Sequence, residues 1–253
     1  MLPTLRAFRV WRRDLESWKR FALSFVVAMI GEPVFYLVTL GYGLGRFVTE
    51  MNGQPYMAFL APGVIATAAV NTATFETTFG AYARMKEQHT YAAILATPCS
   101  VADVVAGDIL WAATKSTLAA CFVLILSALL GLITSPLALA IPLVAALVGL
   151  MFGALGMIAT SRAWSWDFFS YYFTFFLTPM LLFSGVFFPA DSLPPWAQTF
   201  AWFLPLSHAV AVFRALAAGH VTMATVADLG WMAAVTSLAF LVAERLVRRR
   251  LVV

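Results

Sequence analysis

Charged side chains are scarce in this sequence. They make up 11% of its 253 residues, against 62% for hydrophobic side chains, whereas globular chains usually carry about 25% charged residues. A soluble core of this size could not bury so much apolar surface. The composition therefore predicts an integral membrane protein, and no nucleic-acid partner is expected.

Several motifs are also missing. The only cysteines, Cys99 and Cys121, lack the spacing of a metal site, and neither a metal site nor a disulfide is predicted. No G-x-x-x-x-G-K-[ST] stretch is present, so any ATP must be bound by a separate chain. No cleavable signal peptide is predicted, and no internal repeat indicates an inverted-repeat secondary transporter.

Long apolar segments are what the sequence has instead. A hydrocarbon core of about 30 Å requires about 20 apolar residues in a helix. The expected fold is an all-α integral membrane protein, a single transmembrane domain over 1–253 with six transmembrane helices. These six spans are 22–45, 57–80, 103–133, 138–160, 166–187 and 225–246.

The N-terminal segment, residues 4–20, has the pattern of an amphipathic helix. Its apolar side chains recur every three or four residues, at Leu5, Phe8, Trp11, Leu15 and Trp18, and basic residues occupy much of the remainder. This pattern is typical of a helix lying in the membrane interface. The alternative is a solvated helix that packs on a partner.

The distribution of basic residues predicts the orientation, because cytoplasmic loops are rich in Lys and Arg. With both termini in the cytoplasm, only Arg46 and Arg214 lie outside, and Lys115 lies within the third span. The residues then on the cytoplasmic side are Arg6, Arg9, Arg12, Arg13, Lys19, Arg20, Arg84, Lys86, Arg162, Arg245, Arg248, Arg249 and Arg250.

Residues 188–224 are then on the outer side. The Phe-Pro break and the pair Pro194-Pro195 predict a re-entrant helical hairpin, since irregular backbone at membrane depth must be buried in protein or line a cavity. A full crossing here would also move the arginine-rich C-terminus to the outside.

A few polar side chains lie inside the predicted spans. Carboxylates there cost about 2.5–3.5 kcal/mol on insertion scales, so Glu32 and Glu76 should face a protein interior, a cavity or the interface. Asp108 and Lys115 share a helix face, and an ion pair among these four groups would be either a packing pair or a substrate contact. Nothing in the sequence favours a proton relay.

The inner connection, residues 81–102, contains the stretch HTYAAILATP. HTYAAILA predicts a short helix that ends at Thr97-Pro98, because the residue before a proline disfavours helical geometry. Such a helix would suit docking on a cytoplasmic partner, and a solvated connector is the alternative.

Two serines raise an enzymatic alternative. Ser184 precedes Gly185 and Ser207 precedes His208, and an intramembrane serine protease needs an activated serine beside a base. The usual G-x-S-G context is absent, and adjacent helix positions point about 100° apart. The sequence therefore disfavours a protease; an ion-coupled carrier is the other alternative of a different class.

Three motifs around the fifth span resemble the signature of ABC-2 type permeases: F-S-G-V-F-F-P, L-P-P-W and F-L-P-L-S-H. Further stretches, at 32–45, 56–91 and 107–120, resemble the permease subunit of the rhizobial nodulation-factor exporter family, which is described as exporting lipo-chitooligosaccharides. AAILATPCS, at 92–100, is more similar to ABC-2 permeases in general.

The resemblance implies a permease subunit in the bacterial inner membrane rather than an enzyme. It implies a homodimer joined by two ABC ATPase subunits, which would bind ATP and Mg²⁺, while this chain binds no cofactor. The cargo would be an amphiphile such as a lipo-oligosaccharide or a lipid-linked glycan, reaching the path laterally from the membrane lipid. A drug or a polysaccharide is the alternative cargo.

The resemblance also assigns residues to three sites. ATPase coupling would involve His89, Tyr91, Ile94, Leu95, Thr97, Pro98, Trp11 and Trp18. The substrate path, lined by the first, second and fifth spans, would include Glu32, Phe75, Glu76, Trp166, Tyr171 and Tyr172. The outer gate would comprise Phe183, Ser184, Gly185, Val186, Phe187, Phe188, Pro189, Pro205 and His208.

Overall fold

A computed structural model describes residues 3–20, 22–48, 50–51 and 53–251. The fold is helical apart from loops and one short ladder, in which β1 (Glu50–Met51) pairs antiparallel with β2 (Gln54–Pro55), Glu50 opposite Pro55. The helices are α1 (Ala7–Lys19), α2 (Ala22–Gly43), α3 (Tyr56–Phe75), α4 (Ala81–Lys86), α5 (Thr90–Leu95), α6 (Val101–Leu129), α7 (Ile141–Arg162), α8 (Asp167–Tyr172), α9 (Thr178–Phe183), α10 (Pro195–Trp202), α11 (Pro205–Ala218) and α12 (Met223–Leu251).

Four helical stretches among these residues are long and apolar enough to cross a membrane. They are Tyr56–Lys86, Val101–Leu129, Pro136–Arg162 and Met223–Leu251. A fifth is added if α10 and α11, which meet at 87°, count as one broken span. The chain is therefore an all-α membrane protein, while the six-span count and the re-entrant hairpin stay predictions.

The centre of the fold is formed by α3, α6 and α7, which pack on one another. Around this centre, α12 packs on α7, α1 on α6, α2 on α3, and α11 on both α3 and α12. Phe59, Ile65, Met151 and Phe152 are fully buried there. The arrangement places α2 and α3 side by side, and it leaves α1 and α5 near the start of α6.

Small residues let the central helices approach closely. A Cβ atom at Gly149 of α7 would lie 2.5 Å from the Cα of Ala113 on α6, so only glycine fits this crossing. The hydroxyl of Ser116 donates to the carbonyl of Ala145 at 3.1 Å across the same interface. Close packing and interhelical hydrogen bonds of this kind hold helices together in lipid, where hydrophobic burial drives little association.

The second long helix is interrupted by a π turn, Glu76–Gly80, and continues through α4 to Lys86. The predicted span ended at 80, so Arg84 was expected in the inner connection. A π turn adds one residue to a helix and is common at functional sites. Glu76 and Arg84 are eight positions apart; in a regular helix they would point about 80° apart, and the extra residue reduces this to about 20°.

The N-terminal helix α1 packs along the first turns of α6. Trp11 donates its indole N–H to the hydroxyl of Thr114 at 2.9 Å, and Trp18 lies edge-on to Trp111 with ring centroids 5.8 Å apart. Both tryptophans therefore contact α6, whereas the sequence reading placed them on a surface for membrane and ATPase. Amphipathic spacing identifies an apolar face but does not say which neighbour covers it.

We expect Gly107→Ala to loosen α1, because the new Cβ atom would lie 2.5 Å from the Cβ of Val10 and 2.9 Å from the carbonyl oxygen of Ala7. Overpacking of this kind costs about 1–3 kcal/mol. The melting temperature in detergent should fall, and trypsin should cleave faster at the arginines of α1.

Gly230→Ala in α12 is the matched control, because its Cβ atom would meet nothing within 4 Å. Replacing an unconstrained helical glycine with alanine should gain about 0.5–1 kcal/mol. Equal melting temperatures for the two variants would contradict the close α1–α6 packing.

Candidate functional site

A cavity of about 470 Å³ lies between α2 and α3 and reaches α6 at Lys115. Three residues that the sequence assigned to a substrate path, Glu32, Phe75 and Glu76, all line it. Its other polar and aromatic lining residues include Tyr36, Thr67, Asn71, Thr72 and Phe79. The cavity thus offers carboxylate, amide and hydroxyl groups beside aromatic faces, a mixture suited to an amphiphile.

Glu32 lies on the α2 wall of the cavity. The side-chain amide of Asn71 on α3 donates to its carboxylate at 3.2 Å. Glu32 remains exposed in the single chain, so its carboxylate can accept further hydrogen bonds from a molecule in the cavity.

Glu76 marks the other end of the cavity and is held by two cations. Lys115 donates to one carboxylate oxygen and Arg84 to the other, each at 2.6 Å. Glu76 and Lys115 are 8% and 7% exposed. Buried charges require such pairing, so the ion pair that the sequence reading left open between Glu76 and Lys115 is present.

Asp108 joins this cluster from α6 and is fully buried. Its Oδ2 accepts a hydrogen bond from Arg84 at 3.2 Å and another from the hydroxyl of Tyr91 on α5. Burial, and then the neighbouring Asp108 carboxylate, raise the pKa of Tyr91 well above its usual value. The tyrosine hydroxyl therefore stays protonated and acts as the donor.

Asp14 on α1 lies beside the cluster and pairs with Arg13. Burial, reinforced by repulsion from Asp108, raises the pKa of Asp14 to about 7, although Arg84 and Arg13 oppose the shift. Its charge state thus changes near neutral pH. Asp14 and Arg84 are the two members of this region that sequence reasoning missed. Each lies among other charged residues, Asp14 in the predicted interfacial helix and Arg84 in the inner connection.

The other predicted path residues do not line this cavity. Trp166 stacks on Phe79, with ring centroids 5.9 Å apart, and forms a second layer behind the cavity wall. Tyr171 is exposed. Tyr172 lies in a separate apolar groove with Trp164.

The segment assigned to ATPase coupling forms α5 and the turn after it. His89 precedes the helix in a left-handed conformation, with φ 50°. Tyr91 is buried against Asp108, whereas Ile94, Thr97 and Pro98 line a groove of about 510 Å³ between α5 and α1.

Basic residues of α1 border this groove. Arg6, Arg9 and Arg13 line it, and Arg6 donates to the carbonyl of Pro98. Leu95 packs partly buried on the cluster around α4 and α6. The exposed residues of this segment are His89, Ala92, Ala93, Ala96, Thr97 and Pro98.

The predicted outer gate begins where α9 ends. Gly185 has φ +74°, a left-handed conformation that suits glycine, and Ser184 donates to the carbonyl of Met180. Val186 is buried against Gly63 of α3, where a Cβ atom would lie 2.8 Å from the Val186 carbonyl oxygen.

Arg214 of α11 fixes this reversal. Its guanidinium group donates to the carbonyls of Gly185 and Val186 and lies 3.8 Å from the ring centroid of Phe59. The hydroxyl of Tyr56 donates to the Phe187 carbonyl at 3.3 Å. The freed backbone carbonyls at the Gly185 turn are therefore satisfied by side chains of α3 and α11.

The remaining gate residues surround α10 and the start of α11. Phe183 packs against Trp196 and Phe200, Phe188 is half-buried, and Pro189 accepts a hydrogen bond from Ser192. Pro205 is in the first turn of α11.

His208 does not meet a serine. Its Nδ1 lies 2.7 Å from Asp228 and its Nε2 lies 2.8 Å from the carbonyl oxygen of Trp202, while the ring stacks on Trp231. Within the described ranges neither Ser184 nor Ser207 hydrogen-bonds a histidine. No group of His, Cys, Asp and Glu in these ranges could hold a metal ion.

Comparison with known proteins identifies the family. A family profile with the description "ABC-2 type transporter" matches residues 7–217. The chain belongs to the ABC-2 type transporter family. Members of this family are membrane subunits of transporters and normally work with ABC ATPase subunits.

Several curated relatives of this ABC-2 permease are named Nodulation protein J. Nodulation protein J of Rhizobium leguminosarum bv. trifolii is 42% identical over 98% of this chain and 95% of its own length. Nodulation protein J of R. leguminosarum bv. viciae is 43% identical over 96% of this chain and 93% of its own length. Nodulation protein J of Rhizobium meliloti (strain 1021) is 39% identical over 96% of this chain and 92% of its own length.

We expect Asp14→Asn to stabilise the permease at pH 8 more than at pH 5. The pKa of the Asp14 carboxyl rises from 3.8 to about 7 on folding. Below pH 3.8 this group does not lower the free energy of unfolding, but the free energy of unfolding falls as the pH rises from 3.8 through 7. The gain from Asp14→Asn should therefore grow by about 3 kcal/mol between pH 5 and pH 8.

The measurement is unfolding in detergent across that pH range. Glu16→Gln is the control, because Glu16 lies on the same helix, exposed and paired with Lys19. A gain for Asp14→Asn that is the same at both pH values would contradict the raised pKa.

Proposed function

We propose that this chain is the membrane permease of an ATP-driven exporter that moves an amphiphile, such as a lipo-oligosaccharide or a glycolipid, out of the cytoplasm or the inner leaflet. The observation that carries this proposal is the cavity between α2 and α3. It combines Glu32, Asn71 and Glu76 with the aromatic rings of Tyr36, Phe75 and Phe79. Sugars are bound by such hydrogen-bonding groups and flat apolar faces.

The similarity to Nodulation protein J supports the same cargo class. In this proposal the permease lies in the bacterial inner membrane with six spans and both termini in the cytoplasm. The α10–α11 hairpin is re-entrant and covers the outer end of the path. A drug or a polysaccharide is the alternative cargo.

A second copy of the chain would complete the path. Glu32 is exposed in the single chain, and Phe35 beside it on α2 is 71% exposed. Such apolar exposure next to a carboxylate suits a helix that faces a partner subunit across a cavity. Two ATPase subunits would join this homodimer and bind ATP and Mg²⁺, and this chain would bind neither.

The exposed surface of α5 and the adjoining groove would receive the ATPase. Ile94, Thr97 and Pro98 supply apolar contacts, and Arg6 and Arg9 border them with positive charge. His89 is exposed and would also contact the ATPase, whereas Leu95 and the buried Tyr91 would hold this segment in place.

We expect Glu32→Gln to weaken the response to cargo. Losing one charge-assisted hydrogen bond should raise the glycolipid concentration for half-maximal ATPase stimulation about tenfold. The measurement uses the reconstituted permease–ATPase complex and a lipo-chitooligosaccharide.

The matched control is Glu50→Gln, since Glu50 is exposed in β1 and does not line the cavity. An unchanged half-maximal concentration for Glu32→Gln would remove Glu32 from the substrate path. Transport that survives ATP depletion would favour an ion-coupled carrier instead.

We expect a cysteine at Ala96 to cross-link to the ATPase subunit, because Ala96 is exposed at the end of α5. The background should carry Cys99→Ser and Cys121→Ala, since Cys99 lies in the groove itself. A cysteine at Trp196, exposed on α10, is the control and should not cross-link. Equal cross-linking at both positions would contradict docking at α5.

A further inference from the structure

Side chains of three helical segments form an unbroken series of contacts from α5 to the cavity. Tyr91 of α5 and Arg84 of α4 both donate to Oδ2 of Asp108. Arg84 also donates to Glu76, which accepts from Lys115 through its other oxygen. We call these five residues the charged network.

The two ends of the charged network have different surroundings. Tyr91 is the buried residue of α5, whose remaining face forms the proposed ATPase surface. At the other end, Glu76 and Lys115 line the cavity. A displacement of α5 relative to α6 therefore moves the Tyr91 hydroxyl relative to Asp108. Asp108 is linked to the cavity wall by two contacts, its own with Arg84 and that of Arg84 with Glu76.

The charged network is only partly satisfied. Oδ1 of Asp108 and Nε of Arg84 are buried and form no hydrogen bond with any part of the chain that the structure describes. Fully satisfied networks specify a single arrangement, whereas unmatched buried groups are rare and costly. Oδ1 of Asp108 is the spare acceptor and Nε of Arg84 the spare donor. These two atoms give Asp108 and Arg84 a second hydrogen-bonding arrangement when the Tyr91 hydroxyl moves away.

Simple anchoring of α5 would not require charge. Apolar residues of similar volume stabilise a fold as well as a buried ion pair does, or better. Switching elements, by contrast, need two arrangements of similar energy. The combination of buried charge, incomplete pairing and a position between two functional surfaces is what a switch requires.

We propose that Tyr91, Asp108 and Arg84 are positioning residues that transmit movement of α5 to the Glu76–Lys115 pair at the cavity. This inference rests on the proposed function, because it requires that an ATPase moves α5. It assigns these residues to the coupling of ATP hydrolysis with cavity rearrangement, not to binding of cargo.

The experiment follows the cavity directly and needs no cargo. In a background with Cys99→Ser and Cys121→Ala, a cysteine replaces Thr72, which lines the cavity. N-ethylmaleimide labelling of this cysteine is timed in the permease–ATPase complex, with and without ATP and vanadate. The readout is the change in labelling rate per trapped nucleotide.

We expect Tyr91→Phe to reduce this change at least fivefold. Tyr82→Phe is the matched control, because Tyr82 is also a buried tyrosine but donates to the carbonyl of Trp164 at 3.2 Å, outside the network. It should keep the full change. Adding Asp108→Asn to Tyr91→Phe should cause no further loss, since both remove the same connection.

Equal responses for Tyr91→Phe and Tyr82→Phe would overturn the inference while leaving the proposed function standing. Loss of nucleotide trapping in Tyr91→Phe would also overturn it, since Tyr91 would then serve assembly with the ATPase. Absence of any ATP-dependent change in the unmodified background would overturn the proposed function and this inference together.

Discussion

Charge neutrality inside the bundle is the constraint on which the rest of the structure depends. Glu76, Arg84, Asp108 and Lys115 lie where an unpaired charge would be prohibitively costly, and they neutralise one another as two acids and two bases. Glu76 comes from the π turn, Arg84 from α4, and Asp108 and Lys115 from two different turns of α6. The π turn, the closeness of α3 to α6 and the position of α5 are all compatible with this pairing, and any shift of one element disturbs the others.

Buried polar groups must also be paired at the other end of the fold, where they are backbone carbonyls rather than charged side chains. The reversal after α9 frees carbonyl groups that lie next to buried apolar residues. Arg214 and Tyr56 satisfy them, and Val186 fits against Gly63. The signature motif is thus held by residues distant in sequence, so its irregular backbone can persist in an apolar environment.

Much of this could be read from the sequence, and the failures have identifiable causes. Apolar segment length and motif resemblance predicted the helical membrane fold and the family, and three of the six path residues share one cavity. Arg84 was missed because hydropathy does not reveal that a helix continues past its apolar part through a π turn. The contacts of Trp11 and Trp18 with α6 were not predicted, because periodicity gives the apolar face of a helix but not its neighbour.

The π turn limits how this helix can change length during evolution. Deleting one residue between Glu76 and Arg84 would leave them seven positions apart, which a regular α-helix places within about 20° of each other. Inserting one residue would separate the two charges unless a second π turn formed. The segment should therefore tolerate a deletion that straightens the helix far better than an insertion, and homologues with a seven-residue spacing would keep the ion pair without the π turn.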